Sequence, residues 1–484
     1  MKIINGIDRY HWVWLLAAAP FIFIAEPAYT PMLLVVPALW VFHAVAEDKS
    51  KCEADSSFLP ITPLNLSLLI MTSMVLVSLW ATFDIAISLE KVSSWVLGIG
   101  VFYAMVRLGK QPISWLWSLM AYLGGGFLFT LIGLFSTNWQ HRFRVLEPIL
   151  SRLPKGIPYL PRAESGIHHN ALGGTLLWIL PVYIVLTVIG SFNREFYSLH
   201  WLKGKGWWIR DFIQKNQLVN FIRLTAYLLT LFIGIVFVLS QSRGSYLALG
   251  LTIWSMLFLA SNERWRWVLS LSFGGLILAG CGLIYTVGWG RVIRFLGLAG
   301  QSGFSINSLA GRLEIWSRAL QGIQDFPFTG MGMGTFREIV RIVYPIFDVS
   351  NESDLVMQAH NEYLQVGLDL GIPGLIGFLS LYFIAFWMLF DCWERSGSAN
   401  QFTTRQIKFV SHGNETIGND GSLFVRCCVL GLGGGLLAHF LFGLTDAIIL
   451  RAPGLFWWML LGLITGLHRL VAGKESVEGE TRYD

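Results

Sequence analysis

Arg243 is the clearest candidate for chemistry in this chain. It lies in the hinge Ser240–Ser245 between two apolar runs, so it must sit close to a membrane boundary. An arginine there either snorkels to lipid headgroups or points into a cavity, where its planar donors could grip a pyrophosphate group. We favour the second interpretation, because charges at this depth are usually functional.

A second candidate is His360, in the polar segment Gln358–Gln365 ahead of the turn Gly371–Gly374. Histidine can act as a general base near neutral pH, and the neighbouring Glu362 and Asp369 could orient or tune it. A histidine at a helix cap in the membrane interface fits the same pattern. The sequence therefore leaves both interpretations open.

Arg162 is the third cationic candidate, in the segment 161–170 just before an apolar run. It could face a ligand or simply be a solvated loop charge, and its spacing does not decide between the two. The adjacent His168 and His169 could suggest a metal, but neighbouring histidines rarely face one ion.

Two further pairs of charged residues are better explained by local structure than by a functional site. Glu352 and Asp354 resemble a paired-carboxylate metal motif, yet they stand in a polar stretch that favours a surface turn. Asp446 and Arg451 are close enough in sequence to form a local ion pair. No metal site is predicted.

Composition defines the elements that must position these residues. The chain has 484 residues, of which 54% are hydrophobic and 13% charged, and a soluble domain carries about 25% charged residues. This excludes a cytosolic enzyme, a disordered chain and a disulfide-rich secreted domain. The net charge of +5 comes without a Lys/Arg-rich run, so nucleic acid is not expected as a partner.

The fold class predicted is all-α: a polytopic membrane protein of about twelve transmembrane helices with a long helical loop on the outer face. About 20 apolar residues span a bilayer as a helix. The apolar runs lie near 11–26, 31–46, 64–83, 93–107, 114–136, 169–191, 221–240, 244–260, 267–289, 373–391, 425–444 and 453–470.

The distribution of basic residues orients the chain. With the N-terminus inside, 21 of the 35 Lys and Arg residues fall on inner segments, which predicts cytoplasmic termini and a long outer connection. The predicted divisions are transmembrane helices 1–9 over 1–289, the outer loop 290–372, helices 10–12 over 373–470 and a cytoplasmic tail 471–484.

The long connection contains an amphipathic helix. Over residues 311–326, helical spacing puts Leu313, Trp316, Leu320 and Ile323 on one face, with Arg312 elsewhere. This predicts a helix lying on the membrane or covering a cavity, ended by the glycine-rich run 330–334.

The same orientation places the three cationic segments 161–170, 240–246 and 358–365 on the outer face. They are far apart in sequence, so only the fold could bring them together. If they converge, Arg162, Arg243 and His360 form a basic pocket at the outer membrane boundary, the depth at which a lipid pyrophosphate carries its charge.

These residues resemble the motifs of the O-antigen ligase and polymerase superfamily of bacterial envelope glycosyltransferases. The similarity covers roughly residues 160–375, and any one motif alone is weak. The matching pieces are Arg162…Gly166…Asn170, Ser242-Arg243-Gly244, Gly311 to Trp316 with Gly330-Met331-Gly332, and His360-Asn361…Leu364 with Gly371 to Gly374.

The resemblance implies a GT-C-like enzyme of the bacterial inner membrane with its active site facing the periplasm. It implies transfer of a glycan from undecaprenyl pyrophosphate to an acceptor hydroxyl, without a cofactor or metal. Carried over by position, Arg243 and Arg162 bind the pyrophosphate and His360 acts on the acceptor hydroxyl. Arg312, Asn361 and Glu362 lie on the acceptor or lid side.

The acceptor is left open by the sequence. A ligase would use the lipid A core of lipopolysaccharide; a polysaccharide polymerase would use another lipid-linked glycan, and a protein O-oligosaccharyltransferase a protein. A transporter of an inorganic anion such as bicarbonate is the alternative of another class. The absence of internal repeats, and charged motifs gathered at one face rather than at mid-bilayer, argue against transport.

Overall fold

A computed structural model describes most of the chain from residue 60 onwards. The described ranges are 60–139, 144–154, 166–192, 216–288, 290–292, 309–345, 358–398, 420–449 and 454–472. The first two predicted crossings, 11–26 and 31–46, lie outside the described residues.

Helices dominate the described residues. Their bounds are α1 Asn65–Ala81, α2 Ile85–Leu108, α3 Pro112–Ser136, α4 Glu147–Leu150, α5 His169–Phe192, α6 Asn216–Leu239, α7 Arg243–Ala260, α8 Glu263–Val287, α9 Leu309–Asp325, α10 Phe336–Ile342, α11 Glu362–Ser398, α12 Asp420–Phe442 and α13 Leu455–Ala472. A 3-10 turn, Arg144–Leu146, precedes α4, and two-residue strands β1 Thr137–Asn138 and β2 Ile167–His168 pair in parallel.

The all-α membrane architecture is confirmed. Within the described ranges, nine helices are long and apolar enough to cross a bilayer, and α1, at 17 residues, is a shorter apolar helix. Each of the ten predicted crossings from 64–83 onwards overlaps one of these helices. The predicted total of twelve and the division into segments stay predictions.

One helix starts earlier than the apolar run suggested. The crossing predicted at 93–107 is part of α2, which begins at Ile85 and includes Lys91. Lys91 is tolerated because its ammonium group pairs with the buried carboxylate of Asp369 at 2.7 Å. A charge that interrupts hydropathy in the sequence is thus neutralised by a distant partner.

The core of the bundle lies around α5, α12 and α13. α12 packs along α5, α13 along α2 and α11 along α1. Glycines permit the closest approach: a Cβ on Gly435 would collide with the carbonyl oxygen of Trp178, and one on Gly431 would lie 3.1 Å from Val182 Cα. The glycine-rich stretch of α12 is therefore a helix-packing surface.

α11 is bent near the predicted outer end of the bundle. Gly371 has a φ of 70°, and this left-handed residue separates the first two turns from the long membrane-crossing part. The glycine-rich turn 330–334 packs here, with Met331 N donating to Leu368 O at 2.7 Å and Ile372 N to Pro327 O at 2.7 Å. The turn and the bend therefore hold each other in place.

The helix predicted over 311–326 exists as α9, and the residues of its predicted apolar face are partly packed and partly exposed. Ile315 and Ala319 are the residues buried against the rest of the protein, whereas Leu313 and Leu320 are 54% and 51% exposed. Trp316 still faces inward and donates from Nε1 to the carbonyl of Ala359 at 3.0 Å. α9 thus packs on the segment that carries His360.

Candidate functional site

The site is built around the turn that follows α12, residues 443–449. This turn is held by Glu362, whose buried carboxylate accepts hydrogen bonds from the backbone N–H groups of Ile448 at 2.6 Å and Ile449 at 3.2 Å. Glu362 N in turn donates to Gly443 O at 2.7 Å. A buried carboxylate needs such partners to be stable, so α11 and the turn form one unit.

Arg243 is brought to this turn by the start of α7. The chain enters the helix through Gln241, a buried residue with φ of 50°, and Arg243 is the first helical residue, half-buried. The next residue, Gly244, lies so close to Thr445 that an added Cβ would collide with its hydroxyl oxygen. The backbone of the Arg243 hinge therefore touches the 443–449 turn directly.

Arg312 reaches the same turn from α9. Its guanidinium donates to the carbonyl oxygen of Thr445 at 2.8 Å, and it lies near enough to Arg243 for the two charges to repel each other. Its Nε is buried and has no hydrogen-bond partner among the described residues. Two converging guanidinium groups, of which that of Arg312 keeps its Nε–H for a further acceptor, form an arrangement suited to a polyanionic group.

His360 approaches the turn from the other side. It has a φ of 47°, a strained conformation for a non-glycine residue, and its Nδ1 lies 3.3 Å from Oδ1 of Asp446. Only 15% of its side chain is exposed. Because an ionised carboxylate can only accept, the shared proton belongs on Nδ1, which leaves Nε2 able to accept a proton.

Asp446 is a site residue that the sequence interpretation missed. Besides His360, its Oδ1 accepts from Gln358 Nε2 at 2.7 Å and from Ala447 N at 2.9 Å. Burial alone would raise the pKa of Asp446, but the imidazole of His360, the N–H of Ala447 and the nearby His168 outweigh burial and hold the pKa below its ordinary value. The predicted partner Arg451 lies outside the described residues.

Asn361 and Glu362 both bind backbone groups. Asn361 Oδ1 accepts from Tyr363 N at 3.0 Å and Leu364 N at 3.1 Å, which caps the start of α11, and its Nδ2 donates to Leu444 O at 3.2 Å. With the contacts of Glu362, this fixes the 443–449 turn beside His360. Their predicted place on the acceptor side stays a prediction.

The segment of Arg162 is described only from Gly166, and Arg162 itself lies outside the described residues. The helix that follows, α5, packs against the Arg243 hinge and against the end of α12. A Cβ on Gly173 would lie 2.9 Å from the hydroxyl oxygens of Ser240 and Ser245, and one on Gly174 would collide with Phe442. The three predicted segments thus lead to one end of the bundle.

No cluster suited to a metal ion occurs in the part of the chain that the structure describes. His168 and His169 lie with ring centroids 4.2 Å apart, and His168 Nδ1 accepts from Asn170 N at 3.3 Å. Glu352 and Asp354 lie outside the described residues. Among the described residues, the site presents guanidinium groups, an imidazole and a carboxylate.

The fold and the site together define a multi-pass helical membrane protein with cationic side chains and a His–Asp pair gathered at one end of its bundle. A family model described as O-antigen ligase matches residues 228–379. This match supports the O-antigen ligase superfamily and covers Arg243, Arg312 and His360 but not Arg162 or Asp446. No curated protein sequence matches the chain.

The family match supports a membrane glycosyltransferase of the O-antigen ligase and polymerase type. Glycosyl transfer in general needs stabilisation of a leaving group and activation of a hydroxyl. The residues around 443–449 supply groups of both kinds.

Proposed function

We propose that this protein transfers a glycan from undecaprenyl pyrophosphate to an acceptor hydroxyl at the outer face of the bacterial inner membrane. The observation that carries the proposal is the meeting of Arg243, Arg312 and His360 at the Thr445–Asp446 turn. Cationic donors are thereby available to the leaving pyrophosphate, and a base is available to the attacking hydroxyl.

In this reaction Arg243 and Arg312 hold the pyrophosphate of the donor, with Arg162 as a further predicted ligand. The acceptor oxygen attacks the anomeric carbon while the bond from that carbon to the pyrophosphate oxygen breaks. Negative charge grows on the leaving oxygen, and guanidinium groups, always protonated, stabilise it without a metal. A single displacement inverts the anomeric configuration.

His360 receives the proton of the acceptor hydroxyl on Nε2. Asp446 accepts the Nδ1–H bond, fixes the tautomer and stabilises the imidazolium that forms. A positioned base of this kind contributes about 10²–10⁴-fold to the rate. Undecaprenyl pyrophosphate leaves with its full charge, and the proton departs from His360 to solvent.

This assignment differs in one respect from the role expected for Arg312. Its hydrogen bond to Thr445 and its proximity to Arg243 favour a place with the pyrophosphate group rather than on the acceptor side. The acceptor then enters beside His360.

The test uses the full chain, purified and placed in lipid nanodiscs, with an undecaprenyl pyrophosphate-linked glycan as donor. Parallel reactions offer lipid A core, a second lipid-linked glycan or a protein acceptor, and mass spectrometry follows the glycan. We expect transfer to one acceptor class, which separates ligase, polymerase and protein transferase. Absence of transfer to all three, together with bicarbonate uptake by proteoliposomes, would contradict the proposal and favour the transport alternative.

A further inference from the structure

Asp369 is a buried carboxylate near the bend of α11, about two turns beyond Glu362 on the same helix. Its side chain is fully buried and has three partners: Lys91 Nζ at 2.7 Å, Gln365 Nε2 at 2.9 Å and Gly334 N at 3.0 Å. Replacing such a buried pair by apolar residues is often neutral or stabilising, so burial alone does not account for it.

Gln365 transmits the position of Asp369 to the backbone beside His360. Gln365 lies one helical turn before Asp369. The nitrogen and the oxygen of its side-chain amide bind different partners. Nε2 donates to Asp369, and Oε1 accepts from the backbone N–H of Ala359 at 2.9 Å. Because the carboxylate can only accept, it fixes which amide atom faces Ala359.

Ala359 is held at both of its backbone polar groups. Its N–H binds Gln365, and its carbonyl accepts the indole N–H of Trp316 at 3.0 Å. The next residue is His360, whose φ of 47° is unfavourable for a side chain with a Cβ. Such a conformation persists only where the surroundings determine it.

We propose that Lys91, Asp369 and Gln365 form a positioning relay that holds His360 in the orientation used for transfer. The relay joins α2, the 330–334 turn, the first turns of α11 and, through Ala359, α9. None of its three side chains is assigned to the sugar or the pyrophosphate in the proposed reaction. This inference rests on the proposed function of His360 as the base. It gives Asp369, which the sequence marked as able to orient or tune His360, a route to that residue through Gln365 and Ala359, and it adds Lys91.

The experiment compares Asp369→Asn and Gln365→Leu with the wild-type protein in nanodiscs. We expect kcat for transfer to fall about 10²-fold, the scale of a misplaced reacting group, while the donor KM and the affinity for undecaprenyl pyrophosphate change less than about two-fold. Lys91→Arg, which keeps the charge, should retain more activity than Lys91→Met. In the His360→Ala background, Asp369→Asn should cause no further loss, since both act through one side chain.

A second readout is independent of activity. Modification of His360 by diethyl pyrocarbonate, followed by mass spectrometry, reports the exposure of the ring, and Asp369→Asn should change its rate. The matched control is Asp391→Asn, which removes a different His–Asp contact, to His468 at 3.1 Å. That variant should leave both kcat and the His360 modification rate unchanged.

Three outcomes would overturn the relay. These are wild-type kcat and modification rate in folded Asp369→Asn protein, a loss that adds to that of His360→Ala, or a loss no greater than that of Asp391→Asn. Full transfer by His360→Ala would instead refute the proposed function, and a changed modification rate would then still support the structural relay.

Discussion

The Nδ1 atom of His360 lies 3.3 Å from Oδ1 of Asp446, although the two residues are 86 positions apart in the chain. Asp446 belongs to the turn that also accepts a hydrogen bond from Arg312 and packs against Gly244. One short turn after α12 therefore sets the mutual positions of the imidazole and both guanidinium groups.

Replacement of the imidazole tests the role of His360 directly. We expect His360→Ala to lower kcat about 10²–10⁴-fold, because the acceptor hydroxyl loses its base, with little change in donor binding. The measurement is steady-state transfer in nanodiscs. His468→Ala is the matched control, because it removes a histidine that pairs with Asp391 at the other end of the bundle. Equal losses in the two variants would point to folding rather than catalysis.

The pKa of Asp446 predicts a pH dependence of stability. A carboxyl group whose folded pKa lies below its unfolded value of about 3.9 stabilises the fold fully above that value. The contribution is lost as the pH falls through the folded pKa. The difference in thermal midpoint between wild type and Asp446→Asn should be constant from about pH 7 to pH 5 and shrink below about pH 4. A difference that grew on acidification would contradict the lowered pKa.

The guanidinium groups should act in donor binding and leaving-group stabilisation. Arg243→Ala should lower kcat/KM about 10²–10³-fold, the effect of losing one preorganised donor, and weaken binding of undecaprenyl pyrophosphate. Arg243→Lys should lower kcat/KM as well if bidentate hydrogen bonding to the pyrophosphate is required. The control is Arg266→Ala, because Arg266 binds the carbonyls of Phe258 and Leu259 at the opposite end of α7. Full activity of Arg243→Lys would show that a positive charge suffices.

The contact of α7 with the 443–449 turn can be tested by adding one methyl group. Gly244→Ala would collide with Thr445 and should destabilise the protein by about 1–3 kcal/mol, or displace the turn. Gly250→Ala, on the same helix with open space around it, should be neutral or slightly stabilising. Thermal unfolding and transfer rates measure both variants. Wild-type behaviour of Gly244→Ala would show that α7 does not approach the turn closely.

Removal of divalent metal should leave transfer unchanged, because the described site offers guanidinium groups to neutralise the pyrophosphate. Transfer is measured after treatment with EDTA and dialysis, with and without added magnesium. Strong inhibition that magnesium reverses would bring back Glu352 and Asp354 as candidate ligands, and Glu352→Gln with Asp354→Asn would then be tested together.

The sequence by itself determined the membrane class and most of the helices. Composition and the length of apolar runs suffice for this, because a bilayer accepts a buried backbone only as a hydrogen-bonded helix or closed barrel. The motifs around Arg243, Arg312 and His360 also indicated a resemblance to the O-antigen ligase superfamily, which the match over residues 228–379 supports, since their residue types and order are local properties of the chain.

Tertiary structure alone decided which side chains meet. The sequence offered Asp446 only the nearby Arg451, which lies outside the described residues, whereas the fold brings Asp446 to His360. Lys91 likewise binds Asp369 at a separation of 278 positions. Similarly, spacing placed Leu313, Trp316, Leu320 and Ile323 on one apolar face of α9, and the structure shows that the protein covers Ile315 and Ala319 while Leu313 and Leu320 stay exposed. Helical periodicity indicates that a face exists, but the partner surface selects which face is covered, and that surface comes from segments distant in sequence.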